Sequence, residues 1–161
     1  MSVKKALENY SRKHMGIKRE RPEKQVEKSV LEWCARSGFD ISVVESKAVY
    51  SRSAGRYLRG QTEAGFSDLV GVTSTGRACF IELKAEGKRS TLKPHQYDFL
   101  LRKIKLGAFA CCVDSVELID SIYTRWLNII DIEPETAKAF LEDNLHKSKR
   151  TKEMFDDAAE W

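Results

Sequence analysis

The amino-acid sequence predicts an α/β fold in the order helix, three strands, helix, strand, then helices. Three observations carry that prediction. Val26, Val30, Trp33 and Cys34 recur at spacings of three and four between Pro22 and Gly38, which is the spacing of a helix face. Two apolar stretches, Phe66 to Thr73 and Arg77 to Lys84, flank the turn formers Ser74, Thr75 and Gly76 and read as a hairpin. Beyond them a helical pattern opened by Pro94 runs into the uniformly apolar stretch Ala108 to Val113, the mark of a buried strand.

Residues 1–20 are polar and basic and read as an N-terminal arm. The domain proper spans 21–161, with a core over about 22–115 and a helical extension over about 116–161. Pro22 suits the first turn of a helix because its missing N–H has no partner there, and acidic Glu23 complements the helix dipole. Gly38 stops that helix. Ile41, Val43 and Val44 then favour a strand within Phe39 to Tyr50. Ser51 to Gly65 carries Arg52, Arg56 and Arg59 around Gly55 and Gly60, and reads as a basic, flexible loop. After the hairpin, Ala85 to Leu92 is a polar loop. Pro94 opens a helix that turns Tyr97, Leu100, Leu101 and Ile104 inward and ends near Gly107. Ser115 can cap a helix running through Trp126, and Pro134 starts another through about His146.

A chain of 161 residues with 42% hydrophobic and 32% charged residues can bury a core, which excludes wholesale disorder and fibrous architecture. No apolar run reaches the roughly 18 residues of a membrane span, and the basic start lacks the apolar stretch of a secretory signal, so a soluble, cytoplasmic protein is expected. Four cysteines, Cys34, Cys79, Cys111 and Cys112, contain no C-x-x-C pair, and reduced core thiols are expected rather than a zinc site or disulfides. The net charge of +4 conceals an asymmetry: residues 1–105 hold 22 Lys and Arg against 12 Asp and Glu, whereas 106–161 hold 6 against 12. A front of +10 and a tail of −6 suit a surface for a polyanion such as nucleic acid.

The chemistry concentrates on the hairpin. Asp68 opens one strand, and Glu82 and Lys84 lie two apart on the other, so alternation turns both to one face and Leu83 to the opposite layer. Two carboxylates at the ends of adjacent strands, with an ammonium beside them, make a hard oxygen site for Mg²⁺ or Mn²⁺. Phe80, Ile81 and Leu83 are apolar, so these charges stand in a strand that otherwise reads as buried, where unpaired charge is costly.

Gly65-Phe66-Ser67-Asp68-Leu69-Val70-Gly71-Val72, Phe80-Ile81-Glu82-Leu83-Lys84-Ala85, Pro94-His95-Gln96 and Gly107-Ala108-Phe109-Ala110 together resemble the PD-(D/E)XK nuclease superfamily, and within it the virus-type replication-repair nuclease (VRR-NUC) domain. The resemblance spans about Glu23 to Ser115, and it implies a restriction-endonuclease-like core and metal-dependent hydrolysis of DNA. It implies Asp68 and Glu82 as ligands of Mg²⁺ or Mn²⁺, the Leu83 carbonyl as a further ligand, and Lys84 as the catalytic lysine. The acidic position on the first helix falls on Glu23, with Glu27 as competitor, and the helix glutamine falls on Gln96. Two positions depart from the family pattern: Ser67 stands where proline is usual and Lys93 where Ser or Thr would cap.

Lys47, Arg52, Arg56 and Arg59 precede the hairpin, and Lys88, Arg89 and Lys93 follow it, so both basic clusters border the metal site and are expected to contact DNA. The expected activity is an endonuclease selective for branched or distorted DNA, like the Holliday junction resolvases that resemble it, in repair, recombination or a phage, and in the host cytoplasm if viral. A sequence-specific restriction-type nuclease and a non-catalytic nucleic-acid-binding module are the alternatives. Leu118, Ile122, Trp126, Ile129 and Ile130 can either supply a homodimer or larger homo-oligomer interface or cover the core.

Overall fold

The computed structural model describes residues 22–44, 49–58, 63–129 and 132–145. The arm expected over 1–20, the basic residues Lys47 and Arg59, Ile130 and the chain beyond residue 145 lie outside them. Helix α1 (Pro22–Arg36) leads into strand β1 (Asp40–Val43). A small pair, β2 (Val49–Ser51) and β3 (Arg56–Leu58), comes next. It is followed by β4 (Leu69–Val72), β5 (Ala78–Leu83), helix α2 (Pro94–Lys105), β6 (Phe109–Val113), helix α3 (Val116–Leu127) and a further helix, α4, over 134–145.

The main sheet has the order β1-β4-β5-β6, antiparallel except for the parallel pair β5 and β6 that α2 connects. The register sorts side chains between its two faces. Cys79 lies opposite Phe109 and Ile81 opposite Leu69, and this face meets α1 and α3: Phe109 touches Tyr123 and Trp126, and Phe39 touches Trp33 and Tyr123. The Trp33 indole donates to Asp120 Oδ1 at 3.1 Å, tying α1 to α3. Phe80 and Glu82 share the other face, where Phe99 of α2 packs on Phe80 and Phe66. Strand β6 is buried along its whole length, as its continuous apolar sequence requires.

Local chemistry explains the boundaries. Ser115 Oγ accepts from the Leu118 N–H at 3.3 Å and caps α3. Gly71 allows β1 to lie close, since a Cβ there would meet the Asp40 carbonyl oxygen at 1.9 Å. Ile122 and Trp126 are buried, and Leu118 and Ile129 pack against the core, so among the described residues this stripe covers the core. The four cysteines are buried and free, and burial pushes the Cys34 thiol up to about 11 and Cys112 up to about 12.

Two elements differ from expectation. The strand expected within Phe39 to Tyr50 ends at Val43, and the end of that stretch with the start of the expected loop forms the β2–β3 ribbon, whose cross-strand pairs are Val49↔Leu58, Tyr50↔Tyr57 and Ser51↔Arg56. The hairpin strands are shorter than their apolar stretches, which leaves Asp68 and Lys84 just beyond the paired ends. Among the described residues no helix is long and apolar enough to cross a membrane.

Candidate active site

Leu69 lies opposite Ile81, so Asp68, one residue earlier, falls beside Glu82 at the end of the hairpin. Asp68 Oδ2 accepts from the Leu83 N–H at 2.8 Å, which fixes its carboxylate against β5. An extended residue directs its N–H and C=O to the same strand edge, so the Leu83 carbonyl lies on the edge that carries Asp68. The Lys84 N–H turns the other way and donates to the Val113 carbonyl at 2.9 Å. Here β5 leaves the sheet with β4 on one side and β6 on the other.

Glu82 is only 2% exposed. Its Oε1 accepts from Lys84 Nζ at 2.7 Å and from Gln96 Nε2. Gln96 Oε1 in turn accepts from Lys84 Nζ at 3.3 Å and from the Lys93 N–H at 3.1 Å. Gln96 therefore serves both as the backward cap of α2 and as a bridge between the helix and the two ionic groups on β5. Gly65 brings the preceding loop against this helix start: its φ is +85°, and a Cβ would come within 2.4 Å of the His95 carbonyl oxygen.

Charge follows from this geometry. Burial first, then the negative charge of Asp68, push the Glu82 carboxyl up to about 7 against the opposing pull of Lys84. Glu23, exposed in the first turn of α1, adds to that push. Glu27 instead pairs with Lys24 at 2.8 Å. Burial on its own lowers Lys84, but the hydrogen bond and charge of Glu82 outweigh it and hold the ammonium above its usual value.

The donors suit a hard divalent cation: two carboxylates lie at one strand end with the Leu83 carbonyl on the edge that carries Asp68, and Glu82, raised first by burial and then by the charge of Asp68, is a carboxylate whose ionised form a cation would stabilise. Among the described residues no three His, Cys, Asp or Glu side chains meet as a ready-made cage, so Glu23 contributes to the field of the Asp68–Glu82 pair without joining it as a neighbour.

Of the basic residues singled out in the sequence, Arg52, Arg56, Lys88 and Lys93 are exposed. Arg89 requires a correction. It is buried, with Nε 3.2 Å from Asp114 Oδ1 and a guanidinium N–H donated to the Asn144 carbonyl, so it cannot reach a ligand in solvent. Asp114 Oδ2 also accepts from the Gly87 N–H at 3.0 Å, and together the pair clamps the loop that follows Lys84. Sequence reading missed Asp114; its one signal was an acidic residue ending the most apolar strand, just before the Ser115 cap. Ser67, which stands where the family pattern has proline, is buried, and its hydroxyl has no partner among the described residues.

Comparison with protein-family models, with curated proteins and with solved structures finds no match.

Proposed function

We propose that this chain is a metal-dependent deoxyribonuclease of the PD-(D/E)XK kind, cutting phosphodiester bonds in branched or distorted DNA. The convergence of Asp68, Glu82, Lys84 and Gln96 on one strand end carries the reading, since a binding module has no need of a buried Glu82 set beside a second, half-buried carboxylate and held against a lysine. Asp68, Glu82 and the Leu83 carbonyl would hold Mg²⁺ or Mn²⁺. Such an ion, when bound, polarises a phosphoryl oxygen and lowers the pKa of a coordinated water.

The chain's own residues account for the remainder. Lys84 stays charged, and its Nζ is pinned between Glu82 Oε1 at 2.7 Å and Gln96 Oε1 at 3.3 Å, so it can orient an attacking water or face the charge growing on the phosphate without rearranging. Gln96 is a positioning residue, fixed by the Lys93 N–H. The Leu83 N–H performs the same service for Asp68. Exposed Arg52, Arg56, Lys88 and Lys93 offer phosphate contacts around this point.

The test is direct. The purified chain is incubated with linear duplex, single strand, flap and four-way junction, in chelator and in Mg²⁺ or Mn²⁺. Cleavage only with metal, faster on the branched substrates, is the expected result. Binding without cleavage in any metal would overturn the enzyme reading, and cutting confined to one short sequence would replace branched-DNA selectivity with a restriction-type activity.

A further inference from the structure

Between β1 and β4 the chain leaves the main sheet and builds the β2–β3 ribbon as a sheet of its own. With three residues per strand, it is a minimal hairpin. The described residues flanking the ribbon on both sides make contacts near the candidate active site. On the way out, the Val44 N–H donates to the Asp68 carbonyl at 2.7 Å. On the way back, Glu63 pairs with Arg102 of α2 at 3.0 Å, and Gly65 packs against His95, next to Gln96.

The turn is ordered by its own polar groups: Ser51 Oγ accepts from the Ala54 N–H at 3.2 Å and lies 3.0 Å from Ser53 Oγ. Gly55, at φ +61°, has open space around it. Arg52 and Arg56 are exposed, and no acidic residue occurs between Val49 and Leu58. An exposed, cationic, two-stranded element whose flanking chain lies beside a pair of carboxylates is complementary to a polyanion.

We propose that the β2–β3 ribbon enters the major groove of a duplex arm beside the bond to be cut, with Arg52 and Arg56 facing its phosphates and base edges. The inference rests on the DNA-cleaving reading above and narrows its substrate to DNA with a paired arm adjoining the scissile phosphate. Dimensions select the groove: paired strands lie about 4.8 Å apart before side chains are added, which the roughly 12 Å major groove admits and the roughly 6 Å minor groove does not. Single-stranded DNA offers no groove, and can satisfy only the phosphate contacts.

The experiment uses the full chain carrying Ala54→Cys, modified with a photo-crosslinker. The native thiols are buried, with burial raising their pKa values, so the new cysteine at the exposed turn takes the label. On a flap or junction in Mg²⁺, the label should cross-link to bases of one duplex arm next to the cut site. Methylating guanine N7 in that arm should weaken binding about tenfold, the scale of one lost base-edge contact. Cross-links confined to single strand, or none while metal-dependent cleavage persists, would overturn the ribbon assignment alone. Cross-links to duplex without cleavage would uphold it and remove the catalytic reading; neither signal would remove both.

Discussion

Glu82 makes the stability of the metal-free protein depend on pH in a way that metal should reduce. Its carboxyl is pushed from the ordinary 4.5 to about 7, first by burial and then by Asp68. At about 1.4 kcal/mol per tenfold step, keeping it ionised in the folded chain costs about 3 kcal/mol. The sign follows from proton counting. Between 4.5 and about 7 the folded chain holds a proton that the unfolded chain has released, so stability falls as pH rises through that window and the full cost is present above it. Lys84 stays charged throughout, since its own shift is upward. Urea unfolding, followed by the buried tryptophans Trp33 and Trp126, measures this at pH 5, 6, 7 and 8 in chelator. The wild type minus Glu82→Gln difference should change by up to about 3 kcal/mol across the series, whatever the absolute stability of the variant. Mg²⁺ at ten times its dissociation constant should restore about 1.4 kcal/mol at pH 8 in the wild type, and nothing in Glu82→Gln or Asp68→Asn. Parallel pH profiles for wild type and Glu82→Gln would refute the burial argument, and equal metal stabilisation of all three proteins would put the cation elsewhere.

Three further outcomes follow from the same contacts. Asp68→Asn and Lys84→Ala should each lower single-turnover cleavage about a hundredfold or more while DNA affinity in chelator changes less than about threefold, because both act on the reacting phosphate; an equal fall in binding and cleavage would move Lys84 to the binding surface. Arg89→Met should destabilise the fold by about 3 kcal/mol by leaving Asp114 buried and unpaired, read from the urea midpoint, and a loss below about 1 kcal/mol would free Arg89 from its structural role. Removing Arg52 and Arg56 together should lower the slope of log affinity against log salt by about two, one per lost phosphate contact, and an unchanged slope would turn the ribbon away from DNA.

What could be read from the sequence was what short-range rules govern. Helix starts at Pro22, Pro94 and Ser115 follow from a missing N–H or a side-chain cap, groups that act within one turn. The hairpin follows from a turn flanked by β-formers, and once it forms, strand alternation alone turns Glu82 and Lys84 to one side and buries Leu83. Gln96, three residues past Lys93, stands where a glutamine can cap backwards, and its second role appears only because parallel pairing of β5 with β6 swings the start of α2 over Glu82. The β2–β3 ribbon was not legible, because Arg, Ser and Gly at its turn break the apolar alternation by which a strand is recognised.

Arg89 shows the limit most plainly. In sequence it stands in a polar loop beside Lys88 and looks like part of a cationic surface, yet it is 8% exposed. The groups that draw it inward, Asp114 and the Asn144 carbonyl, lie 25 and 55 residues further on and come together only when β6 and α4 pack. A long side chain with a charged head settles wherever it finds both apolar cover for its stem and an anion for its head, and composition cannot supply either address. The same reasoning explains why the carboxylate pair was easier to find than the basic surface. Asp68 and Glu82 are placed by backbone register, which local patterns encode, whereas each arginine chooses among partners that only the tertiary fold presents.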